Sequence, residues 1–162
     1  MKLKMTLQLI VFGLLTIVVT SCTDKSNNES VMKRRTVNPW TWQDKYGFVQ
    51  SNEVTNPNRI LYAAGIVSVD KDGNLLHPGD MAKQINQVLD NMEVLLKEAN
   101  YNLSDVVRFT YYTTNVQEFT KANKVLIDRL KDAGCKPATS LIGVASLYHP
   151  DCVIEIEAVV AN

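Results

Sequence analysis

Two glutamates stand two residues apart near the end of the chain, Glu155 and Glu157 in Ile154-Glu155-Ile156-Glu157-Ala158, a stretch rich in strand formers. On a strand, residues i and i+2 project from one face, so the two carboxyls are neighbours. Each disfavours ionisation of the other, which raises a pKa and suits proton transfer. A structural reading competes: the carboxylates answer a base such as Arg108 on an adjoining strand, or lie at a wet sheet edge. Glu157 is read in that way. For Glu155 both readings stand at this point.

Other residue types that do chemistry lack the partners it needs. His77 and His149 each sit beside proline, with no cysteine or carboxylate at metal-ligand spacing, so no metal site is expected. Ser140 has no histidine and aspartate arranged to activate it. Gly73 and Gly79 are turn glycines, and no loop is built to cradle phosphate. No cofactor is expected.

These residues need elements to position them, and the periodicity supplies a set. Pro39, Trp40 and Trp42 open the domain, and 46–54 reads as a first strand. A second covers 59–70, closed by Asp70-Lys71-Asp72-Gly73. Ile85, Val88, Leu89, Met92, Leu95 and Leu96 then recur at helical spacing behind Asp80, a plausible N-cap, and that helix ends near Ala99 and Asn100. Residues 105–114 read as a strand. A second helix runs from about Asn115, with Phe119, Ala122, Leu126, Leu130 and Ala133 on one face, to Gly134. Strands over 139–147 and 152–161 finish the chain.

This order predicts an α+β two-layer domain, a mixed sheet with two helices on one face. In the last strand Ile154, Ile156, Ala158 and Val160 point one way, and Val153 and Val159 the other. Apolar residues on both faces call for a second cover, and self-association supplies it. Ile154→Asp or Ile156→Lys is expected to break that assembly.

The first 21 residues differ from the rest. Lys2 and Lys4 precede an apolar run from Leu7 to Thr20, short for a membrane span, that stops at Val19-Thr20-Ser21-Cys22. This is the pattern of a signal cleaved before a cysteine that is then acylated. An uncleaved anchor or a chance Ser-Cys pair is the plainer alternative. On the first reading 1–21 is a lipoprotein signal, 22–35 a polar tether lipidated at Cys22 and ending in the solvated charge run 33–35, and 36–162 the domain. The protein is then expected in the cell envelope, periplasmic or on the outer membrane, with the membrane as partner through its lipid. The chain carries 17 basic and 17 acidic residues. Loss of Lys2 and Lys4 leaves the remainder about two charges negative, which gives no attraction for nucleic acid. Cys135 and Cys152 fit either a disulfide or free thiols, and are read as free.

The stretch from Gly65-Ile66-Val67-Ser68-Val69-Asp70 through Phe119-Thr120-Lys121-Ala122-Asn123, followed by Lys136-Pro137-Ala138-Thr139 and Ile154-Glu155-Ile156-Glu157-Ala158, resembles the RidA/YjgF family across the domain. The resemblance implies a chorismate-mutase-like fold, a homotrimer, and small-molecule clefts between subunits. It also implies hydrolysis of reactive enamine or imine acids to keto acid and ammonia. Family members hold the substrate carboxylate with the arginine of a Pro-Ala-Arg motif, a planar cation suited to bidentate pairing. Thr139 stands at that position here. The family's cleft tyrosine matches Phe48, and its Ser-Gly matches Ala64-Gly65. Gly65, Asn123 and Glu155 are retained, Glu155 where the family places an acid that positions or activates water. The resemblance therefore implies Glu155 as catalytic residue, a cleft lined by Phe48, Ala64, Gly65, Asn123 and Thr139, and a small imine-like ligand without an arginine-bound carboxylate. The alternative is a non-catalytic trimeric module that binds a small molecule or a protein segment.

Overall fold

The computed structural model describes residues 31–162. The signal expected at 1–21, Cys22 and the tether as far as residue 30 lie outside the described residues. Four strands form the central sheet in the order β3 (Ile60–Val67), β6 (Ile154–Ala161), β4 (Val106–Thr113), β5 (Ala138–Gly143), with β1 (Lys33–Val37) and β2 (Ser51–Thr55) as an antiparallel pair beside it. The sheet is mixed: β4 and β5 run parallel, and the other neighbours are antiparallel.

Helix α1 (Met81–Glu98) forms where the apolar stripe predicts it. The Asp80 side chain accepts from the Lys83 amide at 3.1 Å, satisfying one orphan donor of the first turn. Ile85, Val88, Leu89, Met92 and Leu96 are buried against the sheet, each contributing on the order of 1.5–3 kcal/mol. Two polar residues fix its register. Buried Gln84 donates to the carbonyls of His77 (3.0 Å) and Asp151 (2.8 Å) and accepts from the Val153 amide at 2.9 Å. Asn91 donates to the carbonyls of Val67 and Val69. Together they bind α1 to the start of β6 and the end of β3, the two strands that carry Glu155 and Gly65.

The second expected helix is two. α2 (Val116–Ala122), capped by the Asn115 side chain, and α3 (Lys124–Asp132) meet at Asn123. Asparagine is a weak helix former, and the break falls at this residue, whose side chain makes no capping hydrogen bond to α3. Among the described residues three helices, not two, cover one face of the sheet.

The chain is ordered earlier than the tether reading places it. Lys33, Arg34 and Arg35 belong to β1; Lys33 and Arg35 are exposed, and Arg34 is not left to solvent. Arg34 donates to Asn52 Oδ1 (3.1 Å), to the Ser104 carbonyl (3.0 Å) and to the Lys136 carbonyl, and Arg35 pairs with Glu53. The strand expected over 46–54 is shorter and later: a 3-10 turn occupies Asp44–Tyr46, and the segment before β2 touches the sheet at one bridge, Val49 to Ala138.

Ile154 and Ile156 are fully buried beneath the helices. They belong to the monomer's core and not to an assembly surface, which corrects the expectation for Ile154→Asp and Ile156→Lys. The opposite face of the sheet is uncovered and carries Tyr62, 75 % exposed, beside Val159. Cys135 and Cys152 are buried free thiols, and burial pushes the Cys135 thiol up to about 12. Among the described residues, no helix is long and apolar enough to cross a membrane.

Candidate functional site

Cross-strand partners share a sheet face, so the register sorts the candidate residues into two groups. Thr139 lies opposite Phe109, which is buried under the helices. Glu155 lies opposite Tyr112 on β4 and Val67 on β3, and Glu157 opposite Thr110. Since Phe109 and Tyr112 are three apart on β4, they point to opposite faces. Thr139 therefore faces the helices, and Glu155 faces the open side.

On the open side Glu155 sits against the backbone of β3. The pairing of β3 with β6 shifts register between Ala63 and Ile66, and Ala64 and Gly65 occupy the shift. The Glu155 carboxyl fills the space beside Gly65, where a Cβ would stand 1.9 Å from Oε1. Desolvation in this position, and then the charge of Glu157, hold the Glu155 pKa above the usual carboxylate range. Glu157 is itself engaged, but by a different partner from the one expected. Tyr112 donates its hydroxyl to Glu157 Oε2 at 2.8 Å, whereas Arg108 donates to Ser140 Oγ at 3.0 Å.

On the helix side Phe48, Asn123 and Thr139 line one pocket of about 340 Å³, between β5, the α2–α3 break and the segment before β2. Asn123, at the break, lines the cavity. Tyr111 and Phe119 form an aromatic wall, their ring centroids 5.6 Å apart. Burial holds the Tyr111 hydroxyl protonated. Trp42 and Tyr46 complete the lining beside Phe48. Sequence reasoning does not single out these two. The spacing Trp42-x-x-x-Tyr46-x-Phe48 sits in a loop without periodicity, and only the adjacency of Tyr111 and Tyr112 shows that one tyrosine of β4 must face outward.

The expected site residues thus fall into two clusters on opposite faces. Phe48, Asn123 and Thr139 are brought together, as are Ala64, Gly65 and Glu155, but one chain does not join the two. Among the described residues no three His, Cys, Asp or Glu side chains gather as metal ligands.

Comparison with known proteins places this arrangement. The family model described as "Endoribonuclease L-PSP" matches residues 47–162. The chain belongs to the RidA/YjgF (RutC) family. A RutC family protein of Pyrococcus horikoshii is 32% identical over 108 residues, covering 67% of this chain and 83% of that protein. The 3-aminoacrylate deaminase RutC of Acinetobacter baylyi is 29% identical over 105 residues, 65% of this chain and 81% of the other. Among solved structures, the Rid family protein YyfB of Yersinia pestis superposes with a TM-score of 0.70 at 33% identity, over 80% of this chain and 98% of its own. The RidA/YjgF match extends over both clusters. It begins at Gly47, so Phe48 falls inside it, while β1, Trp42 and Tyr46 precede it.

Proposed function

We propose that this protein is an exported, lipid-anchored RidA-type hydrolase of small, uncharged imines or enamines, working as a homotrimer at clefts between subunits. The observation that carries the reading is the division of the site. Glu155 and Gly65 occupy the uncovered sheet face, and Phe48, Asn123 and Thr139 line a pocket on the other side, so two copies must meet to place acid and pocket on one ligand. The uncovered face, with Tyr62 and Val159 on it, supplies the surface for that meeting.

In such a cleft Glu155 takes a proton from water as the oxygen attacks the C=N carbon and gives it to nitrogen, forming a carbinolamine; it then takes the carbinolamine hydroxyl proton and gives that to nitrogen as the C–N bond breaks and the C=O bond forms. One imine and one water become one carbonyl compound and one ammonia or amine. Its raised pKa makes the carboxylate a stronger base toward water than an ordinary glutamate. Thr139 stands at the family's arginine position and gives a neutral hydrogen bond, so a substrate carboxylate loses its charge-assisted anchor. Ribonuclease chemistry, which the name of the matched model suggests, fits less well. The open face sets Glu155 and Glu157 against Arg108, and phosphate backbones bind through surplus positive charge.

Residues 1–21 act as the signal and Cys22 carries the lipid, which places the domain in the cell envelope. Three anchors on one trimer reinforce each other, because the second and third insertions are intramolecular.

The test is turnover of 2-aminoacrylate and of uncharged imines, with Glu155→Gln and Thr139→Arg beside the parent. Activity on uncharged imines that Glu155→Gln abolishes, and a gain on 2-aminoacrylate in Thr139→Arg, support the reading. A parent that turns over 2-aminoacrylate as fast as arginine-bearing relatives overturns it. The uncharged pocket favours a second reading, a binding module without turnover, and there Glu155→Gln leaves ligand affinity unchanged while no variant turns over.

A further inference from the structure

The helix-side pocket has a composition that narrows its ligand. Three aromatic rings meet at its mouth. Trp42 stands edge-on to Tyr46 (centroids 6.4 Å apart, planes at 67°) and to Phe48 (5.8 Å, 74°), and Tyr46 and Phe48 lie nearly parallel at 6.4 Å and 22°. Trp42 is 57 % exposed and Tyr46 44 %. Rings of this size left open at the cavity mouth of one chain offer apolar area and a π-surface to whatever enters the proposed cleft, where the second copy brings Glu155 to the other side. Deeper in, Leu126, Ile127 and Leu130 are aliphatic, and the polar groups are the neutral ones of Thr120, Asn123 and Thr139, with the hydroxyls of Tyr46 and Tyr111 and the indole N–H of Trp42. Among the described residues none that lines the pocket is charged. Lys45 does not line it, and holds its ammonium over the Tyr46 ring at 4.9 Å.

We infer that this pocket selects a neutral aromatic ring, gripped by Trp42, Tyr46 and Phe48, whose one polar substituent faces Asn123 and Thr139. A carboxylate brought into it would lose its hydration with no cation to replace it, a cost that uncharged hydrogen bonds do not repay. An amide or imine group of the same shape is matched by the Asn123 amide, which both donates and accepts, and by the threonine hydroxyl. An aliphatic ring fills the volume but forgoes the ring–ring contacts, each worth about 0.5–1.5 kcal/mol beyond area. The volume of about 340 Å³ lies at the small end for ligand pockets, room for a single substituted ring. Trp42 and Tyr46 precede the segment matched by the family model. The inference rests on the imine-hydrolysis reading for the fate of the ligand and not for its binding.

The experiment is calorimetric titration of the purified full chain with three isosteric probes: benzamide, benzoate and cyclohexanecarboxamide. Benzamide binds saturably, about tenfold or more tighter than benzoate and several-fold tighter than cyclohexanecarboxamide. Trp42→Ala, at an exposed position, and Phe48→Leu, which keeps the bulk but removes the ring, each weaken benzamide about five- to tenfold. Thr139→Arg reverses the preference toward benzoate. Equal or tighter binding of benzoate by the parent, or benzamide affinity untouched in both aromatic variants, overturns the inference. A protein that shows the benzamide preference yet hydrolyses no imine loses the hydrolase reading and keeps this one. A protein that hydrolyses imines without aromatic preference does the reverse.

Discussion

The carboxyl of Glu155 occupies the space that a side chain at residue 65 would fill: a Cβ on Gly65 would stand 1.9 Å from Glu155 Oε1. The glycine is required by that close approach across the β3–β6 pairing and not by its own backbone angles. Gly65→Ala must therefore expel the carboxyl or push the strands apart. Imine turnover falls about tenfold or more, while stability changes by less than about 1 kcal/mol, because the atoms in the way belong to a flexible side chain that can move aside. Turnover measured beside thermal unfolding checks both. Full activity in a folded Gly65→Ala protein would remove Glu155 from the reaction.

Glu155 also makes stability depend on pH. Its folded pKa is raised, by desolvation and then by Glu157, so the native state holds its proton to higher pH than the unfolded chain does. The contribution is neutral below the unfolded carboxylate pKa and becomes destabilising as pH rises through the folded one. Glu155→Gln is thus expected to raise the Tm at pH 7.5 by a small amount, about 1–2 °C because solvent screens a half-open site, and to change nothing at pH 3.5. Melting curves at the two pH values decide it.

Ile156→Lys tests the placement of the core. The side chain is fully buried under the helices, and a lysine there costs about 4 kcal/mol or more. Far-ultraviolet circular dichroism should report loss of the monomer fold. Tyr62→Asp, on the uncovered face and 75 % exposed, keeps the monomer fold and breaks the proposed trimer, which sedimentation measures. A trimeric Tyr62→Asp protein would place the interface elsewhere.

Arg34 and Arg35 are neighbours with opposite consequences. Arg34 donates to Asn52 and to the carbonyls of Ser104 and Lys136, joining β1 to two distant loops. Arg34→Ala should cost about 1–3 kcal/mol in urea unfolding. Arg35 pairs with Glu53 at an exposed edge, and Arg35→Ala should change stability by less than about 1 kcal/mol.

Lipid attachment has its own readout. Cells fed an alkyne-tagged fatty acid should label the parent protein and leave Cys22→Ser unlabelled and released from the membrane fraction. Equal labelling of the two would dispose of acylation at Cys22.

What the sequence made legible follows from the range of the forces involved. The α1 stripe and its Asp80 cap are local, and both form as read. The break at Asn123 was hidden because α2 and α3 pack on the same sheet, so Phe119, Leu126 and Leu130 keep one apolar spacing across it. β1 was illegible for another reason: its three basic residues read as solvated, while Arg34 is held by carbonyls 70 and 102 residues away in sequence. In the site, alternation along β6 put Glu155 and Glu157 on one face correctly. That Thr139 faces the other way depends on the parallel register of β4 and β5, which no local pattern encodes. Trp42 and Tyr46 act through where their loop lands.

The docking of Arg34 also fixes an altitude. With β1 beginning at Lys33, the proposed leash from Cys22 spans only residues 22–32, at most about 40 Å when fully drawn out. The clefts would then patrol a thin layer over the lipid and never the open compartment beyond it. Small neutral aromatics dissolve in a bilayer as anionic metabolites do not, so a short leash and an uncharged pocket would sample the same population of molecules.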